Sequence, residues 1–241
     1  MELSPHIHQI TTVRGASTYL VLGDSSGEDQ SDLHLTLIDT GMPGNGAKIA
    51  DYLRSLGKRQ TSYTIVLTHS DIDHAGSVAE LKERLGNVKV AIHEADAPRL
   101  AGEKPAKEVR GIVGVLFKII SPFMRLKPVE PDILLKDGDT IRELHVIHTP
   151  GHTEGSICLY SEILRALFVG DALRTDKKRD LKLPSDAMSL NVEEAKASIR
   201  KIAPYDFELL LPGHGPPILT GASKKVKELI TRLDYKIPRT A

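Results

Sequence analysis

Ile65-Val-Leu-Thr-His69-Ser-Asp71-Ile-Asp73-His74-Ala-Gly-Ser77 is the stretch on which the reading of this chain turns. Ile65–Thr68 is a short apolar run rich in branched residues, the pattern of a buried strand. Four side chains able to bind a metal then follow, His69, Asp71, Asp73 and His74. An extended backbone would send alternate side chains to opposite faces. A loop running into a helix can gather them, with His69 and Asp71 aimed at one ion and Asp73 and His74 at a second beside it. Such a cluster is costly to bury without a cation. The plainer reading is a polar helix start with Asp73 as its cap.

Three more segments repeat the design. Thr149-Pro-Gly-His152-Thr-Glu-Gly-Ser156 sets a histidine on a tight turn between strand-like runs. Leu167-Phe-Val-Gly-Asp171 ends an apolar strand in a carboxylate, and Leu211-Pro-Gly-His214-Gly-Pro216 returns to Pro-Gly-His after another strand. Each polar residue falls where a strand hands the chain to a loop stiffened by Gly or Pro, which is how a rigid scaffold preorganises a site.

Around these segments the pattern is layered α/β. Ile7–Val13, Thr18–Leu22, Leu33–Ile38 and Val88–His93 read as strands, Gly44–Gly57 and Gly76–Leu85 as helices. Gly23–Asp32 reads as a hairpin loop. Ile133–Leu135, Thr140–Ile147, Gly155–Tyr160 and Ala166–Val169 read as a second run of strands. Helices over Val192–Ala203 and Ala222–Leu233 flank a strand at Glu208–Leu211. Residues 97–131 break the rhythm with five prolines around an apolar patch, Ile112, Val113, Val115, Leu116, Ile119 and Ile120. This insert reads as a helical flap that covers the cleft, meets a second subunit in a homodimer, or is plain core. No linker divides the chain, so 1–241 reads as one domain.

Composition narrows the classes. Lys plus Arg and Asp plus Glu are both 32, and this neutrality argues against nucleic-acid binding. The longest apolar stretch, Gly111–Phe123, is interrupted by Lys118 and too short to span a bilayer. The N-terminal residues lack a signal-peptide pattern, so a cytoplasmic location is expected. The lone Cys158 excludes an internal disulfide and a cysteine-based zinc site; in its apolar strand it reads as an inert buried thiol.

Taken together, the motifs resemble those of the metallo-β-lactamase superfamily. The family pattern is His-x-His-x-Asp-His, then His, Asp and His in that order; here it reads His69-x-Asp71-x-Asp73-His74, His152, Asp171, His214. Leu37-Ile-Asp39-Thr-Gly41 matches the family's buried Asp-Thr-Gly turn, for which a bracing role is expected. The resemblance runs from about residue 10 to 216. It implies an αββα sandwich with the site at one edge between two facing sheets. It also implies two divalent metal ions, zinc first, with iron or manganese as alternatives. The first would be held by His69, Asp71 and His152 and the second by Asp73, His74 and His214, with Asp171 bridging. Ions so spaced share a hydroxide and bring its water's pKa toward neutrality.

The resemblance further implies a metal-dependent hydrolase that turns this hydroxide on a small ester-like molecule (lactone, thioester, ester or β-lactam), with Asp73 as the catalytic residue orienting or deprotonating the water. The departure is Asp71, where the family usually has histidine. Its extra negative charge makes the centre less positive, and its oxygen moves preference toward manganese or iron. A non-haem iron oxidoreductase or dioxygenase of the same fold is therefore the rival reading, and a low-turnover sensing protein a third. Arg174 is a candidate for holding a substrate carboxylate or oxyanion, though it lies in a charged run of the kind usually solvated. His93 is a candidate for the cleft lining; His145 and His148 are expected to be solvated or core.

Overall fold

The computed structural model describes residues 1–23, 33–56, 60–107 and 126–236. Its first sheet runs β1 (Glu2–Ser4), β2 (Ile7–Gln9), β3 (Tyr19–Leu22), β4 (Leu33–Ile38), β5 (Gln60–Val66), β6 (Val88–His93) and β7 (Ile133–Leu135), each strand beside the next. β1 to β4 pair antiparallel, β4 to β7 parallel. The second sheet takes β8 (Thr140–Ile141), β9 (Leu144–His148), β10 (Ile157–Ser161), β11 (Ala166–Gly170) and β14 (Leu209–Pro212) in the order β14-β11-β10-β9-β8. β12 (Arg174–Thr175) and β13 (Leu181–Lys182) form a small separate ribbon. The helices are α1 (Gly46–Ser55), α2 (Ile72–Ala75), α3 (Val78–Leu85), α4 (Ala97–Leu100), α5 (Val192–Ile199) and α6 (Ala222–Lys236).

Alternation along the strands explains the layering. Leu35 and Leu37 point to one face of the first sheet, where they pack with Ile49 and Leu53 of α1 and Val78 and Leu81 of α3. Ile38, Tyr19 and Val21 point to the other face and meet Val146, Ile157, Leu159 and Phe168 of the second sheet. On that sheet's far side, Leu167, Val169 and Leu210 pack with Ile199 of α5 and Val226 and Leu229 of α6. Three apolar layers between four structural layers make an αββα sandwich. The central β4, β5 and β6 are covered on both faces: Leu35, Leu37, Ile65, Val90 and Ile92 face the helices, and Ile38, Val66 and Ala91 face the second sheet.

The middle layer also positions the site. Tyr19 packs edge-on against Phe168 with ring centroids 5.6 Å apart. Its hydroxyl donates to the Pro212 carbonyl at 2.8 Å, fixing the end of β14 just before His214.

Several boundaries differ from the sequence reading. Thr140–Ile147 is not one strand but the tight hairpin β8–β9, turned at Arg142 with φ +56°. Ile7–Val13 keeps strand geometry only to Gln9, and Met1 is recruited beside it through β1. The expected helix Gly76–Leu85 begins at Val78, preceded by the separate turn α2. The expected hairpin loop Gly23–Asp32 lies, but for Gly23, outside the described residues, as do 108–125, which hold the apolar patch of the insert. The described ends of the insert are core: Ala97, Leu100 and Val129 join the layer beneath α1 and α3. Among the described residues no helix is long and apolar enough to cross a membrane.

Candidate metal centre

The chain meets the site at the carboxyl ends of its strands. β5 delivers His69 and Asp71, and α2 carries Asp73 and His74. The β9–β10 turn presents His152, β11 ends one residue before Asp171, and β14 ends two before His214. All seven residues expected from the sequence converge. His69, Asp71 and His152 form one group, Asp73, His74 and His214 another, and Asp171 joins His69 and His74 between them.

Asp171 joins both groups through different oxygens. Its Oδ2 lies 3.5 Å from His152 Nε2, while its Oδ1 lies 3.2 Å from His74 Nε2 and 3.5 Å from His214 Nε2. Within the first group Asp71 Oδ2 is 3.6 Å from His69 Nε2 and 3.1 Å from His152 Nε2. Within the second, Asp73 Oδ2 is 3.1 Å from His214 Nε2. Ligands bound at about 2.0–2.2 Å in a tetrahedron stand roughly 3.3–3.6 Å apart, and the distances here, 3.1–3.6 Å, come within about 0.2 Å of that range. The buried His69 Nε2, His74 Nε2 and Asp171 Oδ1 make no hydrogen bond, as expected of atoms kept for a metal.

Their orientation is fixed from behind. His74 Nδ1 donates to Asp39 Oδ2 at 2.8 Å, leaving the Nε2 lone pair toward the site. Thr68 Oγ1 donates to the same oxygen at 2.8 Å and stands 3.1 Å from His69 Nδ1, placing His69 in the matching tautomer. Thr68 N donates to Asp39 Oδ1 at 2.8 Å. Asp39 itself sits at φ +60°, a conformation few residues other than glycine adopt readily. It belongs to none of the three ligand groups and meets them from behind, through His74 Nδ1 and Thr68, as a bracing residue would.

The electrostatics call for positive charge. Burial alone would raise the carboxyls, but the Lys107 ammonium, with the imidazoles of His152 and His69 beside it, holds Asp71 well below the usual range. Likewise His74, His69 and His214 outweigh burial and hold Asp171 far below it. Asp39 and Asp171 outweigh burial at His74 and raise it well above an ordinary imidazole. His152 goes the other way: burial, with the charges of His69 and Lys107, lowers it and favours the neutral ring.

Gly213 is dictated by this crowding. A Cβ there would lie 2.5 Å from His74 Cε1 and 2.7 Å from Asp171 Oδ1.

Sequence reasoning missed two residues. Asp96, fully buried, accepts from Ser70 N at 2.8 Å, Thr153 Oγ1 at 2.9 Å and Gly155 N at 2.9 Å, tying the loop of Asp71 to the loop of His152. Lys107, at the described edge of the insert, reaches into the first group. Neither carries a motif; Asp96 lies in an ordinary turn sequence and Lys107 in a charged run.

Two other candidates, Arg174 and His93, belong to none of the ligand groups. Arg174 is exposed on β12 and donates to the Leu183 carbonyl. His93 is buried and stacks on His148 with centroids 4.0 Å apart. Asp71, not Asp73, occupies the cap position of α2, and its side chain makes no capping bond.

A four-layer αββα sandwich with paired histidine–carboxylate groups on one edge defines a metallo-hydrolase fold. The sequence profile of the Metallo-beta-lactamase superfamily matches residues 12–214. The chain belongs to that superfamily and is one of its metallo-hydrolase enzymes. It is 30% identical to the probable metallo-hydrolase YflN of Bacillus subtilis over 96% of this chain and 92% of that one. It is 32% identical to the human acyl-coenzyme A thioesterase MBLAC2, over 62% of this chain and 54% of that one. Among solved structures, TTHA1623 in a di-iron-bound form superposes with a TM-score of 0.65 at 25% identity, covering 88% of this chain and 93% of that one. The B3 metallo-beta-lactamase BLEG-1 superposes with a TM-score of 0.69 at 24% identity, covering 93% and 99%.

Proposed function

We propose that the chain hydrolyses a small ester-like substrate, a thioester, ester, lactone or β-lactam, at a centre of two divalent ions. The observation that carries this is Asp171, whose two oxygens face separate groups of ligand atoms. His69, Asp71 and His152 would hold one ion and Asp73, His74 and His214 the other. When bound, the pair supplies an activated water and a Lewis acid for a carbonyl. The chain's own part is positional. Asp39 and Thr68 keep two imidazoles aimed inward, and Asp73, 3.1 Å from His214, is placed to orient the attacking water or take its proton.

The thioesterase relative favours an acyl thioester within this class. Zinc is the first expectation for both positions, with Asp71 moving the first toward manganese or iron relative to a three-histidine site. The test is metal analysis followed by a panel of thioester, ester, lactone and β-lactam substrates. Two ions per chain and hydrolysis of at least one class are expected. At most one ion under excess metal, or no hydrolysis by loaded protein, would refute the proposal.

A second reading, a non-haem iron oxidoreductase, is favoured by Asp71 and by the likeness to a di-iron-bound structure. Oxygen consumption by iron-loaded protein without ester turnover would select it.

A further inference from the structure

The first ligand group contains a cation supplied by the chain itself. Lys107 Nζ lies 2.5 Å from Asp71 Oδ2 and donates to His152 Nε2 at 2.8 Å. Its side chain is only 2% exposed. A buried ammonium costs several kcal/mol unless it is paired and hydrogen-bonded, so this placement depends on Asp71. Among the described residues, Lys107 is the one Lys or Arg in ion-pair contact with any of the seven ligand candidates.

Charge gives this contact a purpose. Against two divalent ions stand three carboxylates, Asp71, Asp73 and Asp171, before any attacking hydroxide is counted. With the hydroxide the centre is neutral, and a neutral centre draws electron density from a carbonyl poorly. One ammonium beside Asp71 restores a net positive charge on the side of the first group. Lysine is suited to this, being a compact point charge on a flexible stem. A bound ion and Lys107 cannot both occupy Asp71 Oδ2 and His152 Nε2, so loading the first group displaces the ammonium. The charge of Asp71 still holds it nearby, at the border of the centre.

We propose that Lys107 is the cation that offsets Asp71: it competes with the divalent ion for the first ligand group and, once displaced, donates to the substrate's carbonyl oxygen as negative charge develops there. The second half rests on the hydrolase reading above, and the first half does not. No bond to Lys107 forms or breaks; its ammonium donates a hydrogen bond to the oxygen and keeps its proton throughout.

Two measurements on the full chain test this. In a chelator-competition titration with zinc, Lys107→Met should tighten binding of the more weakly held ion by about tenfold, the scale of removing one nearby like charge. In the Asp71→His background the same substitution should change it less than about twofold, since the pair is already broken. Equal effects in both backgrounds, or none in either, would overturn the proposal.

With protein loaded in excess zinc, Lys107→Met should lower kcat for the best ester or thioester by about a hundredfold with little change in KM, the usual loss for one oxyanion donor. Zinc affinity changed as expected but kcat unaltered would overturn the catalytic half. Wild-type protein that binds two ions and hydrolyses none of the panel would refute the hydrolase reading and with it the donor role, while the titration still decides whether Lys107 offsets Asp71. Lys107→Gln repeats both measurements if the methionine variant does not fold.

Discussion

Replacing Asp96 by alanine should be among the costliest single changes near the centre, although Asp96 belongs to neither ligand group. Its carboxylate is fully buried and receives three donors, Ser70 N, Thr153 Oγ1 and Gly155 N, at 2.8–2.9 Å. Alanine would strand all three, and each unmet buried donor costs about 1–3 kcal/mol. Thr153 Oγ1 also lies 2.8 Å from Ser156 Oγ and can turn to it, and removing a buried carboxylate returns some desolvation energy. The net loss is therefore set at about 3–5 kcal/mol, as for breaking other buried charged networks. In a chain of this size each kcal/mol lowers Tm by about 2–4 °C, so a drop of roughly 6–20 °C is expected.

Asp96→Asn should lose about a third of that. Its carbonyl oxygen can still serve Ser70 and Thr153, while its NH2 is left facing Gly155 N–H. Melting should be followed by circular dichroism on chelator-treated protein, so that metal binding adds nothing to either variant. Because Ser70 precedes Asp71 and Thr153 follows His152, the first ligand group should lose affinity and the second should not. A drop below about 3 °C for Asp96→Ala, or equal weakening of both groups, would show that the two loops are held by something other than this carboxylate.

Asp39→Asn should reduce metal affinity by about 10–100-fold, the usual effect of removing a partner that orients ligand histidines; a chelator titration within twofold of wild type would count against that role. Phe168→Ala should destabilise the chain by about 3–5 kcal/mol in urea unfolding, because its fully buried ring fills the layer between the sheets; a loss below 1 kcal/mol would contradict the packing. Burial pushes the Cys158 thiol up to about 12, so a thiolate-selective reagent at pH 8 should leave native protein unlabelled and modify it only after unfolding. Rapid labelling of native protein would refute its burial.

The difference between what the sequence disclosed and what it hid follows range and redundancy. Leu35 and Leu37 against Thr36 and Ile38 declare a two-faced strand within four residues. The seven ligand candidates are legible because strand ends and stiff turns mark each of them locally. Their division into groups was implied by family resemblance rather than by spacing, and the distances around Asp171 agree with it. The hairpin at Arg142 was hidden because its positive φ is taken by a residue without the usual glycine or asparagine signal. β12 and β13 lie in a charged run, which hydrophobic pattern cannot distinguish from a solvated loop.

Asp96 and Lys107 were hidden for a different reason, and it bears on how such sites are built. Asp96 acts on residues 26 to 59 positions away, and Lys107 on partners 36 and 45 away. No local rule relates those positions. A ligand must be presented by its own loop, so its backbone setting is written beside it. A group that restrains or neutralises that ligand can come from anywhere the fold passes close by. Asp71 is where the two kinds of information meet. As a departure from histidine it signalled surplus negative charge at the first group, yet nothing in the sequence said where the compensating charge would come from. The fold answers with an ammonium at 2.5 Å. Reading a replaced ligand as a charge still to be balanced thus gives a way to search a structure for the residue that balances it.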